Sequence, residues 1–426
     1  MPSQFAVDSP ARSKGRKMLN KRIIDLRPSY VKFVDRLFFL IILCLPFERA
    51  FIHDGQGAFL QYVVIVFACF SLPLWRRYYR KWCLGIWLYF IFLSVGTIAD
   101  ARTFGQISSS FFSLCLRSWI VFYMLLVSYN IARQDVFYIR RIIQCLLIFS
   151  IIVALSSILG IGVGELEERG VEGARYAVMG SNLNSTARDL SLSIIGGVLI
   201  CFGVIQMPMK RRILFSIFSV LSFYALIRTG SRGGLAGLVC TLPFIVFTTK
   251  KMSRKLTYSL AIGLVLFAMV VVVLNTPSVM DRIAKSIYDR DTGGREAIFE
   301  IVMNLWSHSR LMGLGTFAYQ IIAGIEWGWA ALATHCTYTY ALVSAGVLGG
   351  SFYYLFLLNV LINAIRMRFY PYGAFLMLCL IMALLGGITM NIEFSKWLYI
   401  IYGLILAHAD LKKRGKLQAV QIQTLR

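Results

Sequence analysis

The chain has 426 residues, 58% of them apolar, a formal net charge of +24 and a mean hydropathy of +0.70. Repeated apolar runs approaching 20 residues exclude an ordinary soluble domain and point to a polytopic membrane protein. Nucleic-acid binding, which the charge alone would allow, is not expected, because the basic residues sit in short segments between apolar runs.

The run lengths predict an all-α membrane protein of about 12 transmembrane helices. They fall at 37–52, 58–74, 83–99, 111–130, 142–162, 186–206, 213–228, 233–248, 256–274, 335–364, 373–390 and 397–409. Residues 1–36 read as a basic cytoplasmic tail without the apolar core of a cleavable signal peptide. Helices 1–9 then occupy 37–274, a large outer loop 275–334, helices 10–12 residues 335–409, and a second cytoplasmic tail 410–426. Of the 44 lysines and arginines, 30 lie in the two tails and the segments 75–82, 131–141, 207–212, 248–255 and 366–372. Basic residues mark the cytoplasmic side, so both termini and these segments are expected there. The nine cysteines are scattered with no C-x-x-C pair, so neither a disulfide framework nor a zinc site is expected.

The same alternation places three polar stretches on the outer side. These are the loop at 163–185, the sequence RTGSRGG at 228–234, and the large loop. Long loops of this kind carry function. Within RTGSRGG, Arg228 and Arg232 stand between two lipid-like runs, where an arginine at the bilayer centre would cost about 2.5–3.5 kcal/mol. Either they are interfacial residues reaching for headgroups, or they form an anion clamp, since a guanidinium matches phosphate oxygens and stays charged in a low dielectric. Arg232 also precedes a helix, whose positive end adds to the field. Arg228 either assists or anchors the helix end.

In the large loop, GGREAIFEIVMNLWSHS (293–309) reads as an amphipathic helix with Ile298, Ile301, Val302 and Leu305 on one face. Arg295 at its start is disfavoured by the helix dipole, which hints at another role. Asp289 and Asp291 match an acidic metal–nucleotide pattern, but two carboxylates give a hard cation too few ligands, and no metal or cofactor is expected. GLG at 313–315 is a turn. THCTYTYALVSAGVLGG (334–350) opens the next membrane helix, with Thr334 as its expected cap and Gly346 and Gly350 spaced for close helix packing. His335 re-enters the membrane here, and an imidazole suits a general base. In the 163–185 loop, Arg175 and the asparagines of GSNLN are candidate sugar or phosphate ligands, while Glu165, Glu167 and Glu168 read as a solvated acidic turn.

Together these motifs resemble the bacterial O-antigen ligase and O-antigen polymerase superfamily, over roughly residues 170–365. The family's arginine motif resembles TGSRGG, giving Arg232. Its Gly-x-Arg element is similar to GGREAIFEIVMNLW, giving Arg295. Its histidine helix resembles HCTYTYALVSAGVLGG, giving His335, with Cys336 where the family usually has Asn. An Arg…Asn-x-Asn element is similar to RYAVMGSNLNSTA, giving Arg175, Asn182 and Asn184, with Arg188 following.

The resemblance implies a glycosyltransferase in the bacterial inner membrane. Its donor would be a glycan on undecaprenyl pyrophosphate and its acceptor a lipid A–core sugar or a growing glycan, amid membrane lipids. His335, Arg232 and Arg295 would be catalytic. Arg228, Arg175, Asn182, Asn184 and Arg188 would bind substrate. A ligase transferring a finished chain is the first reading, and an O-antigen or exopolysaccharide polymerase the alternative. An anionic-lipid transporter would need charges through the helix interiors, where only Arg117 and Glu393 stand out.

Overall fold

The computed structural model describes residues 27–47, 59–104, 109–166, 175–178, 183–276, 295–328, 334–390 and 395–415, with single positions 280, 284, 288 and 392. Helices dominate. They are α1 (Arg27–Cys44), α2 (Phe59–Ser71), α3 (Trp75–Tyr78), α4 (Leu84–Phe104), α5 (Ser109–Ala132) and α6 (Val136–Leu159). A hairpin, β1 (Val163–Leu166) and β2 (Arg175–Val178), precedes α7 (Leu183–Cys201), α8 (Met209–Arg228) and α9 (Arg232–Thr241). Then come α10 (Met252–Leu274), α11 (Arg295–Ser307), α12 (Ala318–Trp327), α13 (Thr337–Met367), α14 (Pro371–Gly386) and α15 (Lys396–Lys413).

Two expectations need correction at this level. The 163–185 loop is not wholly irregular: its strands pair antiparallel, Val163 with Val178 and Leu166 with Arg175, so Glu165 belongs to a strand rather than to an acidic turn. The first described helix starts at Arg27, ten residues before the expected 37, because its polar first turns are helical before the apolar run begins.

Among the described residues five helices are long and apolar enough to cross a membrane: Leu84–Thr103, Cys115–Ala132, Val136–Leu159, Met252–Leu274 and Thr337–Met367. Length and composition alone therefore carry fewer spans than the run count predicts. Pro243 is one reason. It falls just after α9 and turns the expected 233–248 helix into ten α-helical residues followed by a 3-10 segment, Leu242–Thr248. Helix α10 shows the lipid-facing extreme, with Leu260, Leu264 and Phe267 each about two-thirds exposed.

The strongest packing joins α7 to α8, α13 to α4 and α15 to α5. Aromatic rings fill the centre: Tyr89 packs against Tyr353, Phe356 and Tyr399, and its hydroxyl donates to Tyr399 at 3.0 Å. The contacts also separate two ends. At one, Arg77 donates to Asp35 and Tyr138 at 2.7 Å, Arg133 pairs with Asp410 at 2.9 Å, and Lys412 donates to the Arg366 carbonyl at 3.3 Å. These ties link three of the basic segments with residues of the expected tails.

Helix α13 is broken. Gly346 has φ 61° and ψ −165°, and the 310–315 backbone runs into the break. The Leu314 and Gly315 N–H groups donate to the Val343 and Ser344 carbonyls at 2.8 and 2.9 Å, while Val347 and Leu348 donate to Arg310 and Leu311. A Cβ on Gly346 would collide with the Leu311 carbonyl, so only glycine fits. Gly346 thus serves a helix break and not the smooth helix packing its spacing suggested.

Candidate functional site

The other end of the bundle carries RTGSRGG and the start of α13. Ser231 is extended and caps α9, accepting from the Gly234 N–H at 3.1 Å. Its hydroxyl donates to Asn184 Oδ1 at 2.7 Å, which ties the start of α7 to the start of α9. Arg232 is therefore fixed as the first residue of α9. A Cβ on Gly233 would lie 2.8 Å from Thr389 Oγ1, so the 387–392 link presses against the arginine's neighbour.

The same link holds the start of α13. The Thr337 N–H donates to the Gly387 carbonyl at 2.8 Å, its hydroxyl donates to the Met390 carbonyl at 3.1 Å, and it accepts from the Ile392 N–H at 3.2 Å. His335 precedes this anchor by two residues. It is the one non-glycine residue with positive φ among the described residues, at 48°. A residue with a Cβ in that region is held there by its surroundings, and such conformations cluster at functional sites. The expected cap does not form: Cys336 occupies the cap position, and the Thr334 hydroxyl donates to the Cys336 carbonyl at 2.9 Å. The left-handed turn at His335 points the chain away from a Thr334 cap.

His335 is half-buried. Burial first, and the nearby positive charge of Arg295 second, push its pKa below the ordinary 6.5. Arg295 is the first residue of α11, whose Ile298, Ile301, Val302 and Leu305 are all buried, as their spacing predicts. Helix α11 packs on α13, which carries Arg295 toward His335. Asn184, Arg232 and His335 are thus linked through one set of contacts at one end of the fold, and the charge of Arg295 acts on His335 there.

The four other expected ligands divide. Arg188 is buried on α7, one turn beyond Asn184, and donates to Ser185 Oγ at 2.9 Å. Arg175 lies on β2. Asn182, Asp289 and Asp291 lie outside the described residues. Arg228 donates to the Ser157 carbonyl at 3.4 Å near the C-terminus of α6. Helix ends leave carbonyls without intrahelical donors, so this contact favours its anchoring role. Among the described residues no group of three His, Cys, Asp or Glu side chains converges.

Lys396 escaped the sequence reading. It opens α15 immediately after the link that holds Thr337, and it is buried. With Arg232 and Arg295 it makes a third basic residue at the first position of a helix at this end. The signal was present, since a basic residue after Ser395 at a helix start opposes the dipole just as Arg295 does.

Residues 217–354 match the family model described as O-antigen ligase. Over that third of the chain it is similar to the O-antigen ligase family. The matched segment contains Arg228, Arg232, Arg295 and His335, while Arg175, Asn182, Asn184 and Arg188 precede it. It is a membrane protein domain, since two of the five long apolar helices, α10 and α13, lie in or overlap its range. No curated protein matches the chain.

Proposed function

We propose that the chain is a membrane glycosyltransferase that moves a glycan from undecaprenyl pyrophosphate to a sugar hydroxyl on the outer face of the bacterial inner membrane. The observation that carries this reading is the grouping of cation-bearing helix starts with a neutral-leaning histidine. Arg232 and Arg295 each add a full charge to a positive helix terminus, and Lys396 places a third basic group at one. Such a field attracts a polyanion, and a pyrophosphate on a lipid brings one to the membrane surface.

In this mechanism Arg232 and Arg295 hold the pyrophosphate and stabilise the charge that grows on it as the anomeric C–O bond breaks. His335 accepts the proton of the acceptor hydroxyl, whose oxygen forms the new bond to the anomeric carbon. Its lowered pKa keeps it unprotonated near neutral pH, as a base must be. Arg295 does double duty, gripping the donor and disfavouring the imidazolium. Asn184, Arg188 and Arg175 are the proposed ligands for the rest of the donor.

A ligase with a lipid A–core acceptor is the first reading. The same grip serves a polymerase, so the acceptor decides. Purified protein in lipid is incubated with undecaprenyl-pyrophosphate-linked glycan, with and without lipid A–core. A single transfer that needs the acceptor identifies a ligase. A ladder of lengthening chains without it identifies a polymerase. No product under either condition, with folded protein, would contradict the proposed activity.

A further inference from the structure

The opposite end of the bundle holds a groove of about 330 Å³ lined by Arg140, Gln144, Ile148, Met207, Pro208, Arg211, Leu214 and Phe215. Its two helical walls share one order. On α6, Arg140, Gln144 and Ile148 follow at intervals of four residues and so lie on one face. On α8, Arg211 is followed by Leu214 and Phe215 on one face. At about 1.5 Å per residue, each wall passes from guanidinium to hydrocarbon within roughly 6–12 Å along its helix. Both run from the basic end toward the middle of the bundle.

The apolar part is open to the outside: Ile148 is 43% and Leu214 49% exposed, and Ile213 and Ile217 beside them are similarly bare. In a membrane protein that surface faces acyl chains. Neighbouring cations are already engaged. Arg141 stacks on Phe137, with 4.4 Å to the ring centroid, and Arg212 donates to the Cys201 carbonyl. Arg140 and Arg211 are both exposed at the groove's mouth.

We propose that this groove binds one anionic phospholipid, its headgroup phosphate between Arg140 and Arg211 and its first acyl carbons against Ile148, Leu214 and Phe215. Charge complementarity selects the headgroup, and the graded walls select an amphiphile over a free anion. The site lies at the end away from His335, so it is separate from the donor site. It rests on the helices crossing a membrane and not on the glycosyl transfer.

The test uses the full chain, stripped of lipid in detergent and titrated with phosphatidylglycerol or phosphatidylcholine under native mass spectrometry. Phosphatidylglycerol is expected to bind more tightly. The Arg140→Gln/Arg211→Gln variant is expected to lose roughly 30-fold in that affinity, the size two cations near a headgroup supply. A Lys251→Gln/Arg254→Gln control removes the same charge from exposed positions and is expected to change little. Equal loss in both variants, or no preference in the parent, would overturn the proposal. So would displacement of the lipid by glycerol phosphate at equal concentration, which would mark a simple phosphate site. A second measurement needs no variant: phosphatidylglycerol with a photoreactive acyl chain is expected to label peptides holding Ile148, Leu214 and Phe215, and labelling confined to other helices would also refute it.

Discussion

Arg232 and Arg295 each open a helix, where the backbone already presents positive charge. That placement costs up to about 1 kcal/mol per cation, and a bound polyanion reverses its sign. Arg232→Ala is therefore expected to lower the transfer rate by roughly 10²–10³, the usual effect of losing one charge-stabilising donor. Arg228→Ala, removed from the Ser157 carbonyl, is expected to alter stability more than rate; comparing thermal midpoint with turnover separates the two. The pH dependence follows from His335. Its neutral form is the base, so activity is present above its pKa and lost as pH falls through it. Because burial and Arg295 lower that pKa from 6.5, the acid limb of kcat/KM is expected below 6.5. In the residual activity of Arg295→Gln the limb is expected to move up. An unmoved limb would show that Arg295 does not act on this histidine. At this scale the sequence singled out Arg232, Arg295 and His335 as candidates, because a polar residue beside an apolar run is conspicuous. It was silent on the positive φ of His335, which lies two residues before the tether of Thr337 to the Gly387 and Met390 carbonyls.

The half-helix that follows His335 is braced by the 310–315 backbone, and the segment that continues from it is clamped by α4. The Asp100 carboxylate accepts from the Thr316, Phe317 and Ala318 N–H groups at 2.9 Å, satisfying donors at the start of α12. Nearby, Thr103 donates to the Leu314 carbonyl at 2.7 Å and Arg102 to the Gly313 carbonyl at 3.2 Å. Removing the carboxylate strands buried donors at about 1–3 kcal/mol. Asp100→Ala is thus expected to speed amide exchange at 316–318 and to lower activity, although Asp100 belongs to α4 and not to the proposed site. Unchanged exchange would refute the clamp. Gly346→Ala is expected to be worse tolerated, since it adds a clash with Leu311 to a left-handed backbone. The α11 helix was legible from four apolar residues at helical spacing. The Asp100 clamp was not, because it joins residues more than 200 positions apart and no periodicity records such a pairing. The Gly346 break was hidden for a related reason: glycine spacing looks the same in a packed helix and in a kinked one.

Across the whole molecule, the charge distribution and the fold agree on two chemically different ends. One pairs Arg77 with Asp35 and gathers Arg133 and Arg414 around Asp410; the other holds the cation-bearing helix starts and His335. The lysine and arginine bias was readable because lipid headgroups select for it along the chain. The number of spans was less readable, because Pro243 ends the α-helical part of α9 early and the first turn of α8 carries Lys210, Arg211 and Arg212. Orientation is checked by placing single cysteines in a cysteine-free chain, at Lys251 on one end and at Glu326 on the other. In intact cells whose outer membrane has been removed, an impermeant maleimide is expected to label Glu326→Cys and spare Lys251→Cys. The reverse pattern would turn the proposed site toward the cytoplasm. The most direct test of the central claim is single-turnover transfer at saturating donor, measured beside donor binding for the parent, His335→Ala and Arg232→Ala. A base and an anion clamp predict different losses: His335→Ala keeps donor affinity and loses transfer, while Arg232→Ala loses both. If His335→Ala transfers glycan as fast as the parent, the mechanism is contradicted.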